Sequence, residues 1–335
     1  MNILVLGNGY FVAPLRALGQ TVLHVHHSPG ADVPLEHPSY CKPLLARLGN
    51  AGFVPELVIY ADDGNLPLLV DPENLPCPSL WFSIDTYCNP WHMAWARGFD
   101  ATLVAQKDFV AMFTSEGCTA EWFPLFCAGV EDEVPFATRD IPVAFVGTMG
   151  HKNNPGRAPF LRAFRAQHPL VMLTGDFRTI FLRSRIVLNQ MAFAEVNFRC
   201  FEAMACGAAL LMEQCDNGLL DIFTPDVDIL PPYPRGDAAT AARIAAESLA
   251  RPEHLADVAA RGRELVGAKH SALARAQRLL ELAAQLRENG SWQARLQQPG
   301  AHGRFVRTAF GIIASELNDP ALAQVRTFYL QRATQ

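Results

Sequence analysis

Acidic side chains follow two apolar runs in the first part of the chain, where they are placed to move a proton. Asp62 and Asp63 come directly after PELVIYA, and Asp85 follows PSLWFSI. A carboxylate at the end of a buried strand can accept a proton from a bound hydroxyl group, which is general-base chemistry. Structural roles are also open, because Asp62-Asp63-Gly64-Asn65 is a good turn and Asp85 can N-cap a following helix.

A glycine-rich turn with basic neighbours begins the second part of the chain. Gly147 and Gly150 flank the turn in VAFVGTMGHKNNPGR, and His151, Lys152 and Arg157 follow it. Backbone amides of such a turn can donate to a diphosphate, and fixed cations can offset its charge. The alternatives are an ordinary turn that needs positive φ at glycine, and basic side chains that are only solvated.

Three neighbouring histidines raise the question of a metal site. Alternation along TVLHVHH would place His24 and His26 on one face of a strand and His27 on the other. That arrangement does not gather three ligands, so we expect no metal there. The eight cysteines show no CxxC pair, and most lie in apolar runs, which favours core side chains in a reducing cytosol.

Composition favours two globular domains and disfavours several classes of partner. The chain has 335 residues, of which half are hydrophobic and 18% are charged, enough to bury two cores. A net charge of -5 without a polybasic run argues against nucleic acid. No apolar run is long enough to span a bilayer, and MNILVLGNGYFVAPL lacks the features of a signal peptide. We therefore expect a cytoplasmic protein without stable membrane insertion.

Alternating strands and helices must position the candidate residues. Six short apolar runs in the first half, separated by segments long enough for helices, predict a parallel sheet covered on both faces. After a polar linker the pattern resets, and VAFVGTMG, PLVMLTG, RIVLNQM, AALLME and VDILPP predict a second set of strands. The prediction is two doubly wound Rossmann-like domains facing across a cleft, with C-terminal helices. The predicted ranges are 1–130 for the first domain, 131–141 for the linker, 142–290 for the second domain and 291–335 for a helical tail.

Several stretches resemble a known family. The donor-site segment of GT-B glycosyltransferases, in which a strand carrying LN precedes an N-x-R-x-FE-A-x-ACG helix, is similar to RIVLNQMAFAEVNFRCFEAMACGAALL. The glycine turn that opens their C-terminal domain resembles FVGTMGHKNNPGRAPFL. The CgeB-like group, named for a spore-maturation protein, has an N-terminal domain that resembles PELVIYADDGNLPLL, WFSIDTYCNP and FDATLVAQKDFVAMF. The resemblance covers most of residues 50–285, and the tail after about Ser291 is free either to pack back onto the first domain or to bind a partner.

The resemblance implies an enzyme that moves a sugar from a nucleotide donor to a glycan or protein acceptor, without a metal or cofactor. UDP is the nucleotide that the wider family suggests. Glu202 matches the glutamate that binds the donor ribose, and Arg199 is the cation expected to offset the diphosphate charge. Glu195 would be the first of two paired glutamates in retaining enzymes, but six residues separate it from Glu202 where the family has seven. Asn189 and Asn197 either bind the donor or cap local backbone.

Other functions on the same plan are kept open. A non-catalytic module that binds a nucleotide sugar or a partner is favoured slightly by the glutamate spacing and by the short span between Gly175 and Arg185. A nucleotide-sugar epimerase can share the fold, but it needs further acid-base residues that the sequence does not single out. An NAD-dependent oxidoreductase is disfavoured because GNGYFV lacks the third glycine of the dinucleotide fingerprint.

Overall fold

The chain divides into two units, and the computed structural model describes residues 1–128, 132–150 and 154–335. Unit 1 comprises Met1–Phe123 together with Ala276–Gln335, and unit 2 comprises Pro124–Arg275. The chain therefore returns to unit 1 inside a long helix, a point that differs from the predicted boundary at residue 290. A domain boundary in a polar, proline-bearing linker can be recognised from its composition. A boundary inside an alanine- and leucine-rich helix has no such signal in the sequence.

Among the described residues, unit 1 contains a seven-stranded sheet in the order β3-β2-β1-β4-β5-β6-β7. The strands are β1 (Asn2–Gly7), β2 (Thr21–His26), β3 (Val33–Pro34), β4 (Leu57–Ala61), β5 (Ser79–Ser83), β6 (Ala101–Val104) and β7 (Ala120–Trp122). Every pair is parallel. The strand order reverses between β1 and β4, and ligands of such sheets bind beyond the carboxyl ends of the strands at this switch point.

The sheet of unit 2 has four parallel strands in the order β11-β10-β8-β9. They are β8 (Ile141–Val146), β9 (Val171–Leu173), β10 (Ser184–Asn189) and β11 (Ala209–Met212). These four strands confirm four of the five predicted runs. The prediction of a strand in VDILPP was wrong, since only the isolated bridges Pro225–Ile229 and Glu213–Tyr233 form in that region. Pro231 and Pro232 have no N–H to donate to a ladder.

Helices flank these strands and complete the tail. Their bounds are α1 (Val12–Ala17), α2 (Cys41–Asn50), α3 (His92–Ala96), α4 (Val110–Ser115), α5 (Arg157–Arg165), α6 (Arg178–Phe181), α7 (Phe198–Ala205), α8 (Leu219–Ile222), α9 (Ala238–Leu249), α10 (Pro252–Lys269), α11 (Ala272–Asn289), α12 (Ser291–Gln297), α13 (Pro299–Glu316) and α14 (Ala323–Ala333). No helix of the described ranges combines the length and apolar character needed to cross a membrane.

The C-terminal tail is part of unit 1, which is the first of the two alternatives predicted for it. Phe310 and Ile313 of α13 lie in one apolar core with Trp81 and Trp95. The segment ENGSWQARLQQPGAHG interrupts the helical run at Gly290, whose φ is 67°, and again at Gln298. Helices α12 and α13 occupy the rest of that segment. Apolar contacts with unit 1 therefore outweigh the poor helix propensity of its glycines.

Candidate active site

Helix α7 carries the motif residues of unit 2 and has a well-defined end. Its C-terminus is closed by Gly207, whose φ is 72°. The amide of Gly207 donates to Met204 O at 2.8 Å, and the amide of Ala208 donates to Ala203 O at 3.0 Å. This double hydrogen bond is a Schellman motif, which ends the helix at Gly207. Since α7 connects β10 to β11, its N-terminus lies at the carboxyl edge of the sheet.

Arg199, near the start of α7, is held between the ends of two strands. Its Nε donates to Val146 O at 2.8 Å, and Nη1 donates to Asn189 Oδ1 at 2.9 Å. The guanidinium also lies 4.9 Å from the ring centroid of Phe145. Burial, together with the nearby charge of Arg157, lowers the pKa of Arg199. The structure thus places a half-buried cation at the carboxyl ends of β8 and β10, where an anion would be bound.

Gly147 gives this cation the space that it occupies. A Cβ at position 147 would overlap Nη2 of Arg199 and lie 3.2 Å from its Cζ. Neither Gly147 nor Gly150 has positive φ, so the predicted conformational reason for these glycines was wrong. The requirement at Gly147 is steric, whereas a Cβ at Gly150 would meet no atom within 4 Å.

Two asparagines orient Arg199. Asn189 is fully buried, and its Nδ2 donates to Asn197 Oδ1 at 3.0 Å while its Oδ1 accepts from Arg199. The hydroxyl of Tyr233 donates to Asn189 O at 2.8 Å. Asn197 is the N-cap residue of α7, but its side chain makes no capping hydrogen bond. The capping alternative is therefore wrong for Asn197, whose side chain supports the Asn189–Arg199 pair instead.

Arg157 connects two loops at the same edge. It begins α5 and donates to Thr148 O at 3.0 Å, to Gln190 O at 3.1 Å and to Gln190 Oε1 at 2.9 Å. Arg157 is 8% exposed, which overturns the alternative of a solvated surface charge. Its predicted contact with a diphosphate stays a prediction. His151 and Lys152, predicted for the same turn, lie outside the described residues.

Glu202 lies one helical turn beyond Arg199 on α7 and is half-buried. Burial raises the pKa of Glu202, and the charges of Arg199 and Arg178 oppose that rise. No acidic residue occupies the first turn of α7, so Glu202 does not complement the positive end of the helix. The two oxygens of such a carboxylate can accept hydrogen bonds from the vicinal hydroxyls of a ribose.

The loop after β10 and the residue after β11 contribute two further glutamates. Glu195 is 7% exposed, and its charge counteracts the lowering of the pKa of Arg157 and Arg199. Glu213, which sequence reasoning missed, is fully buried and accepts from Met191 N at 3.0 Å and from Gly236 N at 3.1 Å. Its only signal in the sequence is its place directly after the AALLM strand. A cavity of about 610 Å³ lies beside it, with Asn154, Gln190 and Arg235 among its polar lining residues.

Asp62 in unit 1 is an anchor between two loops. It is 4% exposed. Its Oδ1 accepts from Gly64 N at 2.9 Å, and its Oδ2 accepts from Ile84 N at 3.1 Å and from Asp85 N at 3.3 Å. Burial raises the pKa of Asp62, while these amides oppose the rise. These three donors belong to the loops after β4 and β5, so Asp62 holds the carboxyl ends of the two strands together.

Asp85 lies at the end of β5 with a perturbed carboxyl group. Its side chain is half-buried and accepts from the Tyr87 hydroxyl at 2.9 Å. Burial raises the pKa of Asp85, and the charge of Asp62 adds to the rise. The predicted capping role was wrong, since α3 starts only at His92 and Asp85 makes no side-chain cap. A raised pKa brings a carboxylate closer to the range useful for general-base catalysis.

Asp63 pairs with a histidine from another strand. His26 Nε2 lies 2.8 Å from Asp63 Oδ2, and Asn65 N donates to Asp63 Oδ1 at 3.0 Å. Ligand atoms of His26, His27 and Asp63 all lie within 4.8 Å of one another. The predicted separation of His27 was wrong because β2 ends at His26, where strand alternation stops. Sequence reasoning missed the pair, because the contact depends on the order of strands in the sheet.

Comparisons with known proteins agree with this arrangement. Residues 138–281 match the family described as glycosyl transferase-like. The fold is similar to that of Anabaena HepE in complex with UDP and glucose, with a TM-score of 0.64 and 12% identity, covering 85% of this chain and 100% of that chain. It is also similar to sucrose-phosphate synthase from Thermosynechococcus elongatus, with a TM-score of 0.62 and 14% identity over 86% and 100% of the two chains. No curated protein matches the sequence.

The fold also has neighbours described with another activity. A putative UDP-N-acetylglucosamine 2-epimerase from Listeria monocytogenes is similar, with a TM-score of 0.52 and 10% identity over 84% of this chain and 94% of that chain. At these identities the likeness establishes the fold, and it confirms the predicted α/β class with parallel, Rossmann-like sheets. Function must be argued from the site itself.

Proposed function

We propose that this chain, which has a GT-B fold, is a glycosyltransferase, and we assign to it a donor site, an acceptor side and a mechanism. In this proposal the donor is a UDP-linked sugar bound to unit 2, and the acceptor is a hydroxyl group of a glycan or protein. The observation that carries it is the position of Arg199, fixed between the carboxyl ends of β8 and β10 one helical turn from Glu202. The finer resemblance to the CgeB-like group belongs to the same proposal.

The donor is held by unit 2 in three places. Glu202 accepts two hydrogen bonds from the ribose hydroxyls, and the amides of the Gly147 turn and of the first turn of α7 donate to the diphosphate. Arg199 offsets the charge that develops as the bond between the anomeric carbon and the diphosphate oxygen breaks. The diphosphate leaves with the electron pair of that bond. Arg199 and the positive end of α7 supply this stabilisation, so the proposal needs no metal or cofactor.

The acceptor hydroxyl is activated by a carboxylate of unit 1. Its oxygen forms the new bond to the anomeric carbon, and its proton passes to Asp85 or Asp63. The raised pKa of Asp85 supports it as a base. Asp62 is the weaker candidate for this role because it is 4% exposed and three backbone amides already donate to its oxygens. Glu195 belongs to the sugar side of the donor in this scheme.

The donor site is tested by nucleotide-dependent stabilisation of the protein. A ligand at about one hundred times its dissociation constant stabilises the native state by about 2.7 kcal/mol. We expect UDP or a UDP-sugar, tested beside GDP, dTDP and CMP in EDTA, to raise the melting temperature. Glu202→Ala should abolish that shift without changing the melting temperature of the ligand-free protein. Glu247→Ala, which removes an exposed glutamate of α9 paired with Arg243, is the matched control. An equal shift in wild type and Glu202→Ala would remove Glu202 from the site.

A binding module without catalysis is the competing proposal, and one structural feature favours it. The connection from β9 to β10 contains only the four-residue helix α6, so this side of unit 2 offers few residues for a nucleotide base. Selective nucleotide binding without donor hydrolysis or transfer to any acceptor would support the module. Release of UDP from a UDP-sugar, dependent on Asp85 or Asp63, would support the enzyme.

A further inference from the structure

The carboxyl edge of the unit 1 sheet gathers side chains from strands on both sides of β1. His24 and His26 belong to β2, Asp63 follows β4, and β1 lies between these two strands. His24 Nε2 lies 2.8 Å from Gly7 O, the last residue of β1. At Gly7, with a φ of 76°, a Cβ would overlap the carbonyl oxygen of Ala61. The His26–Asp63 contact therefore passes over the glycine turn at the switch point of the sheet, where doubly wound folds bind ligands.

Hydrogen bonds assign the protons of His26. Ser28 N donates to His26 Nδ1 at 3.1 Å, so Nδ1 is an acceptor without a proton. In the neutral ring the proton is then on Nε2, which points at Asp63 Oδ2 at 2.8 Å. The imidazole also stacks on His24, with 5.7 Å between ring centroids and 13° between planes. Backbone, carboxylate and neighbouring ring leave His26 one orientation, with its N–H donated to Asp63.

This proton assignment argues against a metal shared by His26, His27 and Asp63. A metal on His26 Nε2 would require the proton to move to Nδ1, where it would face the N–H of Ser28. The three side chains are close enough for a metal, but the hydrogen bond from Ser28 favours a donor-acceptor pair. Within the described residues, His26 and Asp63 therefore form a pair whose carboxylate has fixed direction and spare acceptor capacity.

We infer that His26 is a positioning residue that fixes Asp63 as the partner of the acceptor hydroxyl. This inference rests on the proposed glycosyl transfer and adds to it the choice of Asp63 and the role of His26. Asp63 Oδ1 accepts from Asn65 N and Oδ2 accepts from His26, which leaves one lone-pair direction on each oxygen for the hydroxyl. A correctly oriented acceptor removes much of the entropic part of the barrier.

The step balances without another reactant. The acceptor oxygen forms a bond to the anomeric carbon as the bond from that carbon to the diphosphate breaks, and the diphosphate keeps the electron pair. The hydroxyl proton moves to the carboxylate of Asp63 and is later lost to water. His26 keeps its own proton throughout, donating it as a hydrogen bond. It is therefore distinct from a base that shuttles protons.

The first test addresses the pair itself. Nitrogen-15 spectra of the full chain labelled in histidine, with His26 assigned by comparison with His26→Gln, report which ring nitrogen carries the proton. We expect the neutral ring to be protonated at Nε2. A ring protonated at Nδ1 would overturn the inference, whether or not any activity is found.

The second test separates positioning from stability by kinetics. The readout is UDP release from UDP-glucose, with water and with a panel of alkyl glucosides as acceptors. His26→Leu should lower kcat about ten- to one-hundredfold, because misplacing a reacting group by about 1 Å can cost about one-hundredfold, while donor affinity stays unchanged. His26→Gln keeps an N–H near the position of Nε2 and should retain activity within about threefold of wild type. Adding His26→Leu to Asp63→Asn should cause no further loss, because both act through one group.

The controls distinguish this inference from the proposed function and from a metal site. His27→Ala, which removes the exposed neighbouring imidazole, should leave the rate unchanged. If His27→Ala instead loses as much activity as His26→Leu, and added Zn²⁺ restores that activity, a metal site replaces the inference. If His26→Leu releases UDP at the wild-type rate, the inference about His26 is wrong and the proposed enzyme function still stands. A wild-type protein that releases UDP from no substrate would overturn the proposed enzyme together with it.

Discussion

Arg199 is suited to the proposed binding of an anion because its surroundings hold the guanidinium in a single orientation. A free arginine on a surface loses much side-chain entropy when it binds, whereas this guanidinium is already held by Val146 O, Asn189 Oδ1 and the ring of Phe145. Pre-organised groups stabilise a developing charge at little reorganisation cost. At the scale of the residue, the proposed site therefore depends on the neighbouring groups that hold Arg199 in this orientation.

Gly147 is the feature most open to test. Gly147→Ala would place a methyl group against the guanidinium, since a Cβ there lies 3.2 Å from Cζ of Arg199 and overlaps its Nη2. We expect Arg199 to move and the affinity for the nucleotide to fall about tenfold, or ~1.4 kcal/mol. Titration calorimetry with the nucleotide selected by the stability screen measures the change.

The matched control is an alanine that meets open space. Gly267→Ala in α10 has no atom within 4 Å of the new Cβ, so nucleotide affinity should stay at the wild-type value. Equal affinities for Gly147→Ala and wild type would show that the position of Arg199 does not matter to the donor.

At the scale of elements, local pattern predicted more of unit 2 than of unit 1. The β10 strand, α7 and Gly207 follow from contiguous residues, and Arg199 and Glu202 lie where the motif implies. Asp62 and the His26–Asp63 pair depend on which strands are neighbours, and that order joins residues far apart in sequence. Single-sequence patterns contain no information on such long-range contacts, so the roles of these side chains could not be predicted.

The contact between α13 and a short turn of unit 1 contains a buried acid. Glu73 lies in the turn Pro72–Asn74 and is 8% exposed, with Oε2 among the buried atoms that have no hydrogen-bond partner. Gly303 of α13 packs so closely that a Cβ there would lie 2.7 Å from Glu73 Oε1. Burial raises the pKa of Glu73 from 4.5 to about 7. The packing of α13 against this turn therefore favours the protonated form of Glu73.

This pKa predicts that unit 1 loses stability as the pH rises. Between pH 4.5 and about 7 the folded state keeps a proton on Glu73 that the unfolded state has lost. Linkage then lowers the free energy of unfolding with increasing pH, by about 3 kcal/mol across this range. Glu73→Gln should remove most of this decline and should be more stable than wild type at pH 8.

Tryptophan fluorescence in urea reports this change selectively. All five tryptophans, Trp81, Trp91, Trp95, Trp122 and Trp292, lie in unit 1. Glu288→Gln, at an exposed position of α11, should keep the wild-type pH profile. A wild-type profile that is flat between pH 5 and 8, or one that Glu73→Gln does not alter, would contradict the assigned pKa.

At the scale of the whole molecule, the end of the chain completes the unit with which it begins. Arg295 of α12 is 3% exposed and donates to both oxygens of Asp100 at 2.9 and 3.1 Å. The same guanidinium donates to the carbonyl oxygens of Glu73, Leu75 and Cys77. Unit 1 therefore contains a buried ion pair between residues that are nearly two hundred positions apart in the sequence, and the tail is a structural part of this unit.

The buried pair predicts how strongly the tail stabilises unit 1. Arg295→Met leaves Asp100 as an unpaired buried charge and removes donors to three carbonyl groups, which should cost about 3–5 kcal/mol of unit 1 stability. Asp100→Asn in the same chain removes the unpaired charge and should recover part of that loss. Arg304→Met, at an exposed arginine of α13, should change stability by less than about 0.5 kcal/mol. Urea unfolding followed by tryptophan fluorescence measures all three, and an Arg295→Met protein as stable as wild type would mean that apolar packing of α13 alone holds the tail.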